Sequence, residues 1–141
     1  MSVGKLELLG QIVDGLVRDP KRSITGCVVT NDRGMIIAGR TKDGASDQTL
    51  AAMISLLSST AERVNRNLGI GYPKLTLIKS LGVKVSVMEF TVRNKRFRMG
   101  AMLTESNNGR RSFIRRRISD RKTEATLENA VQNVRSVLES N

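Results

Sequence analysis

Few residues of this chain have side chains suited to catalysis or to metal binding. The 141 residues include no histidine, and the only cysteine is Cys27. Histidine is the residue most used for proton transfer near neutral pH, and zinc sites are built from several His or Cys ligands. Acidic residues that could act in proton transfer are scattered singly along the sequence, among them Glu7, Asp14, Glu62, Glu89, Glu105 and Glu128. We therefore predict a protein that is not an enzyme and that holds neither a metal nor a cofactor.

Cys27 lies between Gly26 and Val28 in a predicted strand. A lone cysteine cannot form an intrachain disulfide, and no histidine is available to deprotonate its thiol. We expect Cys27 to be a buried, inert thiol, as in proteins of a reducing compartment, and we predict a cytoplasmic location. No run approaches the roughly 18 consecutive apolar residues of a membrane-spanning helix, so any membrane attachment would be peripheral.

The positive charge of the chain is concentrated in one region. The net charge is +11, and the stretch from Arg93 to Lys122 contains eleven basic residues against only Glu105 and Asp120. This stretch carries +9, and the rest of the chain is nearly balanced. Such an asymmetry favours a local electropositive surface over a general role in solubility. The candidate residues for binding an anionic surface are Arg110, Arg111, Arg115, Arg116, Arg117, Arg121 and Lys122.

Two structures are open for residues 111–118 of this basic segment. Asn108-Gly109 can turn the chain, so residues 111–118 can form an extra strand, or the segment can be a mobile loop. Its ligand would be an anionic membrane, an acidic protein face or nucleic acid. A solvated charge run without a dedicated ligand is the remaining alternative. Nucleic acid is the least favoured ligand, because only 3% of the residues are aromatic and could stack on bases.

The hydrophobic pattern predicts eight elements. Residues 5–18 have helical periodicity and end before Pro20. A hairpin over residues 26–39 turns at Asn31-Asp32-Arg33-Gly34, and a long helix follows, with Ser46 or Asp47 at its start and Gly69 at its end. Three strands come next, at residues 75–78, 83–92 and 97–104, and residues 123–140 form a closing helix. The apolar phase changes between Val87 and Phe90, which is consistent with a bulge. The order α-β-β-α-β-β-β-α predicts an α+β fold, a five-stranded antiparallel sheet covered by helices.

This order and several stretches resemble the roadblock / dynein light chain family, a profilin-like sandwich. The resemblance rests on the opening helix, the hairpin, the small-residue-rich helix that begins Leu50-Ala51-Ala52-Met53, the exit Leu68-Gly69-Ile70-Gly71 and the three-strand meander. It covers residues 5–105 and resumes at about residue 123. Residues 106–122 are a basic insertion that the family pattern lacks. We treat residues 1–141 as a single domain of this type.

The resemblance implies binding instead of catalysis. Members of this family are typically homodimers that pair edge strands into one sheet and dock Ras-like small GTPases, and some bacterial members accelerate GTP hydrolysis. Carried over by position, the long helix would supply much of the dimer or GTPase contact. Two other functions stay open: nucleic-acid binding through residues 110–122, and actin binding of the profilin type. The residues assigned to the interface, on the helix face opposite the apolar stripe, are Ala51, Ser55, Ser58, Ser59 and Glu62.

Overall fold

The computed structural model describes residues 1–20, 23–42, 44–71, 73–104 and 113–140, with the backbone alone for residues 113–120. Eight elements follow one another in the predicted order, and the α+β fold class is confirmed. They are α1 (Val3–Arg18), β1 (Ile24–Asn31), β2 (Ile36–Thr41), α2 (Asp47–Leu68), β3 (Leu75–Lys79), β4 (Val83–Val92), β5 (Lys95–Thr104) and α3 (Phe113–Glu139).

The five strands form one antiparallel sheet in the order β2-β1-β5-β4-β3. β1 and β5 lie at the centre, and β2 and β3 are the edges. β4 and β5 are joined by a two-residue turn, Arg93-Asn94, in which both residues have positive φ, 50° and 65°. This backbone matches the right-handed twist of a hairpin. Lys95 and Arg96, which the sequence assigned to the reversal, belong to β5 instead.

Each face of the sheet is covered by different helices. α1 and α3 pack on one face, around Leu9, Val13, Leu127 and Val134. α2 packs on the other face, over Val28 and its neighbours. The core is therefore built almost wholly from aliphatic side chains, with the stacked rings of Phe90 and Phe97 (centroids 5.7 Å apart) as the aromatic contribution among the described residues. The side chains of the α2 face are Val28, Leu50, Ala51, Ile54, Leu57, Val85 and Val87.

No bulge interrupts β4, so the phase change after Val87 has another cause. The register from Val83 opposite Thr104 to Val92 opposite Lys95 is continuous. Val85 and Val87 are buried on the α2 face, whereas Met88 and Phe90 are buried on the face of α1 and α3. The apolar phase changes because the two faces are covered along different lengths of one regular strand. The structure has its irregularities in β1, between Val29 and Thr30 and between Ile24 and Gly26.

The helix ends follow local sequence signals. Ser46 caps α2 by accepting a hydrogen bond from the backbone N–H of Thr49 (3.3 Å). Gly69 ends α2 in the left-handed conformation (φ 63°), and its N–H donates to the carbonyl of Asn65 (2.7 Å). α1 ends at Arg18, where the residue before Pro20 leaves the helical region. These signals confirm the predicted ends of the long helix and of the first helix.

α3 differs from the predicted closing helix because it begins at Phe113, ten residues earlier. For residues 113–118 both alternatives, an extra strand and a mobile loop, are wrong: these residues form the first turns of α3. Lys84 Nζ of β4 lies 3.5 Å from Thr123 Oγ1, and Arg93 Nη2 donates to the carbonyl of Glu139 (2.6 Å). α3 therefore runs along the full length of β4. Residues 106–112, the rest of the predicted insertion, lie outside the described residues, and the single-domain assignment stays a prediction.

Candidate partner-binding surface

α2 lies on the sheet along the central strand β5, and successive contacts between the two elements are spaced by nearly the same distance on each. Ile54 lies against Gly100, and Glu62 accepts a hydrogen bond from Arg96 Nη1 (3.2 Å). Eight helical residues rise about 12 Å and four strand residues about 13 Å, so the contacts stay in step along the helix. Ser58, midway between Ile54 and Glu62, is thereby placed over the middle of this strand segment. One side of α2 is fixed to the sheet over this whole length.

The N-terminal half of this helix–sheet contact is apolar and close. Ile54 is fully buried, and Leu50 is 4% exposed. A Cβ at Gly100 would collide with Ile54 Cδ1 and Cγ1, and a Cβ at Gly26 would lie 3.3 Å from Leu50 Cδ2. The two glycines let α2 approach β1 and β5 closely, and this approach fixes the position of the helix.

The C-terminal half of the same contact is polar. Arg98 Nε donates to Glu89 Oε1 (2.9 Å), and these side chains are only 11% and 14% exposed. Thr30, which is opposite Arg98 in the sheet, is fully buried, as is nearly all of Ser58. The hydroxyls of Thr30 and Ser58 have no hydrogen-bond partner among the residues the structure describes. The helix is thus held on the sheet by aliphatic packing at one end and by the ion pair of Glu62 with Arg96 at the other.

The flank of α2 next to its buried side exposes an apolar stripe. Met53 is 45% exposed, Leu56 71%, Val64 37% and Leu68 70%. Along a helix these positions lie within about 120° of one another, and the centre of the stripe lies roughly 100° around the helix from Ile54. Isolated exposed leucines are common on proteins, but four apolar side chains in a row along one helix form a patch of the kind that partner-binding surfaces have.

β3, an edge strand that α2 contacts, continues this apolar side. In the part of the chain that the structure describes, β3 pairs with β4 alone, so one row of its backbone N–H and C=O groups has no strand partner in the sheet. Ile78 is 47% exposed and lies opposite Val85, which places it on the α2 face. An exposed edge of this kind is a template for pairing with another strand. We call the combined patch the α2–β3 surface; its residues are Met53, Leu56, Val64, Leu68 and Ile78.

The five residues that the sequence assigned to the interface do not share one outward face. Ala51 is 4% exposed and Ser58 3%, both against the sheet. Gly34 of the β1–β2 turn lies against Ser55, because a Cβ there would come 2.7 Å from Ser55 Oγ. Glu62 is paired with Arg96, and Ser59 is exposed. The placement is wrong for Ala51 and Ser58, since these two small residues face the sheet, where space is limited. A role in partner binding stays a prediction for the others.

Sequence periodicity does not separate the outward stripe from the buried side of α2, because Met53, Val64 and Leu68 recur at helical spacing together with the buried apolar residues. The sequence does contain a signal for this stripe, namely the width of the apolar arc of α2. These three residues and Leu56 extend the apolar arc of α2 beyond the roughly 100° that one sheet face covers. An apolar arc too wide for one partner indicates a second one.

The seven candidate residues for anion binding are distributed along the start of α3 and the residues before it. Arg121 and Lys122 are exposed, immediately before the contact of Thr123 with Lys84. Arg115, Arg116 and Arg117 lie in the first turns of α3, of which the backbone is described. Arg110 and Arg111 lie outside the described residues. Binding of an anion by these residues stays a prediction.

Cys27 is fully buried, and burial raises the pKa of its thiol to about 12, so the reactive thiolate is not formed near neutral pH. This confirms the expected burial of Cys27. In the described ranges no cluster of three His, Cys, Asp or Glu residues could hold a metal ion. None of the helices in the described part of the chain is long and apolar enough to span a bilayer.

No protein-family model matches the sequence, and no curated protein is similar to it. Solved structures match its fold. Gliding protein MglB from Thermus thermophilus matches with a TM-score of 0.71 and 11% identity, over 97% of this chain and 93% of that one. An MglB with a tetrameric arrangement matches with a TM-score of 0.73 and 10% identity, over 97% and 92%.

A roadblock/LC7 domain from Streptomyces avermitilis matches with a TM-score of 0.69 and 15% identity, over 93% of this chain and 98% of that one. At these identities the likeness concerns the fold. The similar structures and this chain share one architecture along nearly their whole length, three helices around a five-stranded antiparallel sheet. The chain therefore has the roadblock fold that its sequence pattern implies.

Proposed function

We propose that this chain is a non-enzymatic, homodimeric scaffold that binds and regulates a Ras-like small GTPase. The observation that carries the proposal is the α2–β3 surface, an exposed apolar helix side next to an open strand edge. The roadblock fold supports it, because the family that the sequence resembles uses such surfaces to dimerise and to dock GTPases. The similar structures of MglB, one of them a gliding protein, favour a regulatory role over a metabolic one.

The dimer would form through the α2–β3 surface. Two copies of β3 can pair along their open edges, which satisfies the backbone groups that the sheet leaves unpaired. The same pairing brings two α2 helices side by side, so that Met53, Leu56 and Val64 can pack on their counterparts. Each large apolar side chain removed from water contributes about 1.5–3 kcal/mol when burial is complete. One of the similar structures has a tetrameric arrangement, which supports assembly of this fold into oligomers.

The GTPase would bind a surface that only the dimer completes. The chain has no histidine, and its one thiol is buried and protonated. A regulator of this composition acts by positioning groups of the GTPase, since stabilising a transition state requires donors held at the right place and not a reactive side chain. The basic segment of residues 110–122 would contact an anionic surface outside this interface.

A titration with GTPases tests the proposal. Ras-like GTPases encoded in the same genome would each be loaded with GDP or with a non-hydrolysable GTP analogue and titrated with the full chain. We expect at least one of them to bind with an affinity that differs by about tenfold or more between the two nucleotides, a difference of about 1.4 kcal/mol. Leu56→Asp should abolish this binding. Met35→Asp is the matched control, because Met35 is 62% exposed in the β1–β2 turn, away from the α2–β3 surface. Absence of nucleotide-dependent binding to any of these GTPases would refute the proposed function.

A further inference from the structure

The turn between β3 and β4 holds a leucine in solvent. Leu81 is 95% exposed. The turn is closed on either side of it, because the backbone N–H of Ser80 donates to the carbonyl of Val83 (2.8 Å) and the Ser80 hydroxyl donates to the same oxygen (3.2 Å). Gly82 has a φ of 84°, a left-handed conformation that suits glycine. Leu81 is therefore displayed at the tip of an ordered hairpin.

Exposed basic residues of α3 lie at the same end of the sheet as this tip. Lys84, two residues beyond the turn, reaches Thr123 of α3 (3.5 Å), so the preceding residues Arg121 and Lys122 lie at the same end of the sheet. Both are exposed. Ten residues of α3 precede Thr123 and span about 15 Å. The sequence of these ten residues adds three consecutive arginines, at positions 115–117.

A third element, the loop between β2 and α2, reaches the same end. Lys42 is exposed and lines one open pocket together with Val83 and Thr104, at the ends of β4 and β5. Glu124 is exposed in the turn of α3 that follows, and it reduces the positive charge without cancelling it. We call this region the basic end of the sheet: Lys42, Leu81, Val83, Arg121 and Lys122.

We propose that the basic end docks on an anionic phospholipid surface, with Leu81 inserted among the lipids and the cations over their headgroups. An apolar tip at the same end of the sheet as several exposed cations suits the boundary between headgroups and acyl chains. Nucleic acid would use the cations but would leave Leu81 in water. The inference refines the anion-binding role of the basic segment and does not depend on a GTPase, so either proposal can fail alone.

Flotation of the full chain with vesicles tests the docking. Vesicles of equal parts phosphatidylcholine and phosphatidylserine are compared with vesicles of phosphatidylcholine alone. We expect binding that requires phosphatidylserine and falls with added salt. Leu81→Ser should weaken the binding about tenfold. Arg121→Ser with Lys122→Ser should weaken it about twenty-fivefold, since each cation at an anionic leaflet contributes about fivefold. Leu81 is in solvent, so its replacement leaves folding intact.

Two control variants lie at the other end of the sheet. Met35→Ser removes an exposed apolar side chain from the β1–β2 turn, and Lys95→Ser removes an exposed cation from the start of β5. Both should bind vesicles as the wild type does.

Three results would overturn the inference: no binding to phosphatidylserine vesicles, binding unaffected by Leu81→Ser, or conversion of the oligomer to a monomer by Leu81→Ser. The last result would assign Leu81 to contact with a second copy. Retention of duplex DNA that competes with vesicles and ignores Leu81→Ser would also overturn it, in favour of nucleic acid.

Discussion

Gly100 and Ile54 meet where α2 crosses the central strand of the sheet, and the contact leaves no space for a methyl group on Gly100. Ile54 is fully buried at this point, so it cannot move its side chain into solvent. The position of α2, and with it the direction in which the α2–β3 surface faces, is set by this contact.

The first prediction concerns Gly100→Ala. The added Cβ collides with Ile54, and overpacking of a closed core costs about 1–3 kcal/mol. We expect the free energy of unfolding, measured by chemical denaturation, to fall by that amount. Gly10→Ala is the matched control, because a Cβ added at Gly10 of α1 would meet no atom within 4 Å. Alanine in a helix should stabilise the protein there by about 0.5–1 kcal/mol. Equal stability of Gly100→Ala and the wild type would show that α2 is not held this closely.

The second prediction concerns the pair of Arg98 and Glu89. Arg98→Leu leaves the Glu89 carboxylate buried without its partner, which costs about 3–5 kcal/mol in the unfolding free energy. The double variant with Glu89→Leu should recover most of this loss, because it removes the unpaired charge. Arg135→Ala, at an exposed pair with Glu139, should change the free energy by less than about 1 kcal/mol. A double variant as unstable as Arg98→Leu alone would refute the assignment of the cost to the unpaired carboxylate.

The third prediction concerns Cys27 and pH. Burial raises the pKa of its thiol to about 12 in the folded chain, whereas the pKa of a thiol in the unfolded chain is about 8.5. A folded pKa above the unfolded one means that stability is complete below the unfolded pKa and is lost as pH rises toward the folded pKa. The unfolding free energy of the wild type should therefore decrease more steeply between these two pH values than that of Cys27→Ala. Rapid reaction of Cys27 with a thiol reagent in the native state at neutral pH would contradict this burial.

The order of elements could be predicted from the sequence because each boundary has a local cause. Gly69 ends α2, Pro20 follows the end of α1, and the turn of residues 31–34 joins two apolar runs. In each case the signal and the structure lie within a few residues of one another. The roadblock resemblance, which rests on that order, is confirmed at the level of the fold.

The side of α2 that packs on the sheet could not be predicted, because it depends on contacts between residues far apart in sequence. Ala51 and Ser58 face the sheet since Gly26 and Gly100 bring the helix close, and small side chains fit there. The pattern of large apolar residues instead suggested that Met53 would be buried. The apolar arc of α2 includes both its buried side and the exposed stripe next to it, and periodicity alone does not tell the two apart.

The start of α3 was missed for a different reason. Its first turns combine Phe113, Ile114 and consecutive arginines, without a continuous apolar helical stripe. The strand and loop alternatives for residues 111–118 follow from Asn108-Gly109. Two sequence signals nevertheless favour an earlier helix start: Ser112 is a residue type that caps helices, and arginine favours helix as strongly as leucine does.

The most direct test of the account is the mass of the protein in solution, measured by sedimentation equilibrium over a wide concentration range. The account predicts a species of twice the chain mass for the wild type and for Met35→Asp. It predicts a folded monomer for Leu56→Asp, because a carboxylate in the middle of the α2–β3 surface cannot be buried against a second copy. A wild-type monomer at the highest concentration, or a Leu56→Asp variant that remains a dimer, would contradict the claim that this surface pairs two copies.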